Sequence, residues 1–236
     1  MKKSVTAGLG IAVLAASASA DITGAYVVNY SVTAEDFGGA SVSVNVQDLY
    51  LASDNGADVG LNVFNMQLTE AAKVTYFQSF TSTGWSAANA GGPFDAPALR
   101  LADSFVTIGG FAQDTLLPEQ APGIGAGMAL DPDFGPSNVD YPSASGGWYN
   151  SSPPSLAGQV GQVARPDGSF GLGVLIGRFA YDGDFSLEGT TLEVTWNQGL
   201  NTPAEQLQVP LTVIPAPGAL ALLSLASLLG GRRRRG

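Results

Sequence analysis

The chain reads as an all-β protein, an antiparallel β-sandwich or jelly roll, on three observations. Apolar residues in its N-terminal half recur at every second position. Turn-forming clusters separate about eight short runs rich in β-branched and aromatic residues. No internal stretch joins a helical period to adequate length and capping residues.

In residues 25–32, Tyr26, Val28, Tyr30 and Val32 share one side, predicting a half-buried strand. Val42, Val44 and Val46 repeat the pattern, and the run continues into Leu49 and Leu51. Residues 59–68 and 73–80 are the next expected strands, the second with Val74, Tyr76 and Phe80 on one side; between them, residues 69–73 have room for a single helical turn. Strands are also expected over 104–108, 172–181, 190–196 and 206–213. Asp54-Asn55-Gly56, Asp182-Gly183-Asp184 and Glu188-Gly189 supply turns between them. From 111 to 169, seventeen residues are Gly or Pro, a density that predicts a long irregular excursion because proline cannot donate to a central ladder. Long loops in compact domains carry function, so this excursion is the first place to look for a binding surface.

Two terminal segments flank this single domain of residues 21–213. Residues 1–20 begin with Lys2 and Lys3, continue through an apolar run at 7–16 and end with small residues at Ala18 and Ala20. That is the pattern of a helical secretory signal peptide, cleaved between Ala20 and Asp21; the apolar run is well short of the roughly 20 residues needed to span a bilayer. It implies a secretory translocon and a signal peptidase as partners.

Between the termini lie all twenty acidic residues and four basic ones, Lys73, Arg100, Arg165 and Arg178, a net charge of −16. Such a field repels nucleic acid and anionic lipid and favours solubility outside the cell. The chain has no cysteine, yet a domain of this length buries enough apolar surface to fold without disulfides. It also has no histidine, which removes Ser-His-Asp and Cys-His nucleophile pairs and most zinc sites. The domain is therefore expected to be non-catalytic, with no cofactor.

Trp148 and Tyr149 follow Gly146-Gly147 within the excursion, and Trp85 has similar glycine-rich, polar surroundings. Rings presented on loops stack against sugars, which makes the three a candidate glycan-binding set; the other reading is that Gly-Gly-Trp-Tyr folds back to cover a sheet edge with its rings buried. Asp48, Asp54, Asn55 and Asp58 offer oxygen ligands to a structural calcium ion, but without the order of an EF-hand; the alternative is a hairpin turn with solvated carboxylates. Asp131, Asp133 and Asp140 form a second acidic group, and Asp182 with Asp184 a third. Paired carboxylates also serve glycoside hydrolysis, so a carboxylate-dependent hydrolase stays open as an alternative. Gly123, Gly125 and Gly127 are followed by no helix and make no phosphate loop.

After the last expected strand come Pro215, Ala216, Pro217 and Gly218, an apolar stretch at 219–229, and Arg232, Arg233, Arg234 and Arg235. This eleven-residue stretch makes a short hydrophobic helix, and the arginines after it stay on the cytoplasmic side, so the tail is expected to anchor the domain transiently in the inner membrane. Residues 214–236 resemble the PEP-CTERM sorting tail of exported bacterial proteins, which combines a proline-containing motif, a short hydrophobic segment and a terminal basic cluster. Ala216 stands where the name-giving motif has glutamate, making this a Pro-Ala-Pro-Gly variant. The resemblance implies recognition by a membrane-embedded exosortase-type enzyme and delivery to the cell envelope or extracellular matrix, in association with exopolysaccharide. A carbohydrate-binding module is the alternative function.

Overall fold

The computed structural model describes residues 21–82, 84–86, 94–109, 128–135, 140–151, 158–165 and 168–212. Ala18, Ala20, the Pro215–Gly218 motif and the four arginines of the tail lie outside the described residues. No helix among the described residues is long and apolar enough to cross a membrane.

The protein is all-β, with ten strands among the described residues: β1 Ile22–Glu35, β2 Ser41–Ser53, β3 Val59–Gln67, β4 Phe105–Val106, β5 Met128–Leu130, β6 Gly146–Asn150, β7 Gly161–Ala164, β8 Phe170–Tyr181, β9 Thr191–Asn197 and β10 Glu205–Thr212. They pair in the order β4-β8-β2-β1-β10-β9-β3-β6-β5, and β7 shares the outer edge of β8 with β4. All pairings are antiparallel except one. β10 runs parallel to β1 at Ala25↔Leu211 and Tyr26↔Thr212, and this short contact joins the β1-β2-β8 half of the sheet to the β9-β3-β6 half.

A single buried cluster takes side chains from both halves, Val27, Leu49, Leu51, Val174 and Ile176 from one and Val63, Met66, Trp148, Val194 and Trp196 from the other. Each fully buried aliphatic side chain in such a core contributes about 1.5–3 kcal/mol. The face of β1 and β2 turned away from this cluster is also covered. Tyr26, Val28 and Tyr50 pack there against Phe105, Val163 and Leu175, while Ala34, Val44 and Val46 pack against Ala98 and Ala102. β1 is thus buried on both faces along much of its length, where alternation predicted one.

The cover over Ala34 comes from a short helix, α1 (Pro97–Leu101), which the lack of a sustained helical period did not predict. Pro97 occupies its first turn, where the missing N–H is not needed, and Arg100 reaches back to Asp95. One turn is too short to leave a periodic signal.

The hairpin between β1 and β2 closes at Asp36, whose carbonyl accepts from Gly39 N at 3.1 Å. Gly38 follows Phe37 at φ 84°, a left-handed conformation that suits glycine in the third place of a turn. In β8, Gly177 faces Leu49 but Leu175 faces Tyr50, so Ile176 is an extra residue, a β-bulge. The bulge changes which face the following residues meet, sending Phe179 into the central cluster and turning Arg178 toward Asp48.

Two expectations need correction. Residues 73–80 form no strand: after a 3-10 turn at Glu70–Ala72, this segment contributes only Phe77, which donates to Ala180 O at 2.7 Å and accepts from Ser104 N at 3.1 Å. Its alternation arises because Tyr76 enters an aromatic cluster with Trp85, Phe179 and Phe185, while Phe80 stays at the surface. The 111–169 excursion likewise is not irregular throughout, since it contains β5, β6 and β7. The two described prolines of this stretch, Pro132 and Pro142, sit between β5 and β6 rather than within a strand.

Candidate functional site

Trp148 and Tyr149 lie on β6, not on a loop, and alternate across the sheet. Trp148 is 1% exposed, packs in the central cluster and donates from Nε1 to Thr107 O at 2.8 Å. Tyr149 points the other way and is 46% exposed. The glycines before them serve close packing. A Cβ on Gly146 would meet the Tyr141 hydroxyl at 2.7 Å, and one on Gly147 the Asp131 carboxylate at 2.6 Å. Trp85 is fully buried, edge-on to Tyr76 and Tyr141. Of the three rings read as a glycan-binding set, Tyr149 alone presents surface, because tryptophan rings gain more from core burial than a loop could recover in water.

Of the four candidate calcium ligands, Asp54, Asn55 and Asp58 stay in one turn and Asp48 lies apart. Asp54 Oδ1 accepts from the Asp21 amide at 2.9 Å, Asn55 Oδ1 from Ala57 N at 3.0 Å, and the buried Asp58 from Ser53 Oγ at 2.7 Å. Burial pushes the Asp58 carboxyl above its ordinary pKa, the Ser53 hydrogen bond opposes this, and the charge of Asp54 adds to it. Asp48 belongs to a different centre. In the second acidic group, Asp131 caps the turn at Pro132–Phe134 by accepting from Asp133 N at 3.1 Å. Among the described residues, no three acidic side chains gather closely enough to hold a metal ion.

Asp48 and Arg178 form a buried, two-pronged ion pair, with Nε to Oδ1 at 2.7 Å and Nη2 to Oδ2 at 3.0 Å. Arg178 also donates from Nη1 to Arg100 O at 2.9 Å, and Tyr30 donates its hydroxyl to Asp48 Oδ2 at 2.9 Å. The guanidinium lies over the rings of Phe105 and Tyr30, at 5.4 and 5.9 Å. Burial acts to lower the pKa of Arg178, but the charge and hydrogen bonds of Asp48, together with Tyr30 and Tyr50, outweigh it and hold the guanidinium above its ordinary value. The same burial, with Asp48 beside it, raises the Tyr30 phenol. With these donors and acceptors mutually engaged, the centre is suited to fixing sheet register rather than to chemistry.

A second polar network holds the segment after Phe77. Asp103 accepts from Ser79 N and Ser82 Oγ, both at 2.8 Å, and Asp36 accepts from Ser79 Oγ at 2.6 Å. Burial pushes Asp103 up to about 7 against the lowering effect of its hydrogen bonds. Asp36 behaves oppositely: burial works to raise it, but the Ser79 hydroxyl and the amides of Phe37 and Phe80 hold it below its ordinary value. Those two amides place Phe37 and Phe80 side by side at the surface, with Phe94 edge-on to Phe37.

A cleft of about 790 Å³ runs between β2 and residues 75–78 and is lined by Val42, Val44, Tyr76, Tyr181, Asp140 and Asp182. A smaller one of about 290 Å³ shares Thr75, Tyr76 and Asp140 with it and reaches Lys73 and Trp85.

No protein-family model, curated protein or solved structure matches this chain. Sequence reasoning missed Arg178 as the partner of Asp48 and missed the phenylalanines. The first had a signal: a lone arginine inside the apolar run of β8 needs a buried anion. Phe37 had one too, standing beside the Gly38-Gly39 turn rather than in an alternating run.

Proposed function

We propose that this chain is a non-catalytic protein of the cell envelope or extracellular matrix, exported by its N-terminal signal and associated with exopolysaccharide. In this reading, residues 214–236 anchor it transiently in the inner membrane until an exosortase-type enzyme releases it. The two halves of the sheet are read as the layers of a β-sandwich around their shared core.

One observation carries the export reading. β1 begins at Ile22, a buried core residue, and the Asp21 amide donates to the Asp54 carboxylate at 2.9 Å. A cut after Ala20 leaves every strand whole and turns that amide into an ammonium beside a carboxylate, a stronger, charge-assisted bond.

Intact-mass analysis of the protein recovered from its native envelope tests the reading. The expected species begins at Asp21 and ends near Pro215. Recovery of the protein from the cytoplasm with residues 1–20 attached would refute export, and a mature species that retains Arg235 would refute release by a sorting enzyme. Carbohydrate binding by the domain itself is a second reading, favoured by aromatic rings held at the surface.

A further inference from the structure

Resting on the polysaccharide association proposed above, we propose that Phe37, Phe80 and Phe94 form a stacking platform for an uncharged polysaccharide. These residues are 42%, 76% and 56% exposed, and of the other described rings Tyr149 and Phe170 alone are exposed. Phe37 and Phe80 are stacked, their planes 10° apart and their centroids 5.5 Å apart, and both remain exposed. Phe94 meets Phe37 edge-on at 5.1 Å.

The platform is built. Asp36 accepts from Phe37 N at 2.8 Å through Oδ1 and from Phe80 N at 3.2 Å through Oδ2, so one carboxylate sets the backbone of both parallel rings. Ser79 Oγ adds a third bond to Asp36, and Asp103 secures the same segment through Ser79 N and Ser82 Oγ. Thr81 Oγ1 donates to Phe94 O at 3.4 Å, linking the third ring to this segment. Holding three apolar rings in water costs free energy that burial would have recovered, and exposed apolar patches fixed in this way mark binding sites.

The rim selects the ligand. Glu35, Asp36 and Asp95 sit in the segments that carry the rings, and the one base among the described residues of those segments, Arg100, is paired with Asp95. Polyuronates, phosphates and anionic lipid are repelled by this charge on a domain of net charge −16. A neutral pyranose chain fits both features: its axial C–H face lies flat on a phenyl ring, and its uncharged hydroxyls meet no repulsion from the acidic rim. A cationic peptide would meet the same charge but has no need of parallel exposed rings.

Affinity electrophoresis of the purified protein through gels containing hydroxyethylcellulose, polygalacturonate or the polysaccharide fraction of the native envelope tests this. The expected result is retardation by the neutral glucan and the native fraction, weakened roughly tenfold in Phe80→Ala and in Phe37→Ala and retained in Tyr149→Ala. Phe80 and Phe37 are surface residues, and unchanged thermal unfolding of the variants confirms that the fold is kept. Undiminished retardation of both phenylalanine variants would overturn the platform while leaving the polysaccharide association standing. No retardation of the parent protein in any gel would overturn the association as well. Retardation by polygalacturonate alone, or binding that oligoarginine displaces, would overturn the assignment to an uncharged polysaccharide.

Discussion

Replacing Asp48 with asparagine should destabilise the domain by about 3–5 kcal/mol, the usual result of leaving one buried charge without its partner. The structure supports the full range. Both side chains are only 2% exposed, and the variant replaces two bonds to a carboxylate with at most one to an uncharged amide oxygen. The guanidinium cannot escape to water, because its third bond to Arg100 O and the rings of Phe105 and Tyr30 enclose it. In a domain of this size the loss corresponds to a fall of roughly 10–15 °C in Tm. Removing both charges in Asp48→Leu/Arg178→Met should recover most of the stability, since apolar replacement of a buried pair is often neutral, with a residual cost of about 1 kcal/mol for the unpaired Arg100 carbonyl. Urea unfolding followed by circular dichroism measures all three proteins. A loss below about 1 kcal/mol in Asp48→Asn, or a double variant no better than the single one, would refute the assignment of this pair as an interdependent buried unit.

Trp148→Phe should cost about 1–3 kcal/mol by leaving Thr107 O without its donor, with faster amide exchange in β4 beside it; an unchanged Tm would show that the bond to Thr107 carries no weight. Asp103 makes stability depend on pH. Its folded pKa of about 7 lies above the ordinary carboxyl value of 3.8, so between these values the folded chain holds a proton that the unfolded chain has released. Its contribution is therefore full below about pH 4 and is lost as pH rises toward 7, by at most about 1.4 kcal/mol per pH unit. Comparing the parent with Asp103→Asn in urea at pH 4.5 and pH 7.5 should show the variant gaining relative stability at the higher pH; a constant difference would refute the buried-acid assignment.

How much of this was legible in the chain differs from element to element. Alternation located β1, β2, β3, β8, β9 and β10, since each is long enough for a period of two to stand out. It failed at residues 73–80, where Tyr76 turns into an aromatic cluster and Phe77 alone bonds to β8, at Ala180, so no ladder forms. It also missed β6, because the five residues Gly146–Asn150 contain two glycines that read as a turn. Those glycines are required by Tyr141 and Asp131, side chains whose approach no local pattern encodes. The bulge in β8 left a trace, as the inward apolar spacing passes from two residues, Val174 to Ile176, to three, Ile176 to Phe179.

The amino-acid sequence alone determined the all-β class, the main turns, the acidity of the domain and the absence of histidine and cysteine chemistry, because these rest on composition and near-neighbour periodicity. Only the tertiary structure decided which charges are buried, which rings face water and how the sheet is ordered. Asp48 meets Arg178 across 130 residues, and Ser79 meets Asp36 across 43. A local period tells which side chains share a face of one strand; what covers that face depends on segments distant in the chain, and that pairing is settled by packing.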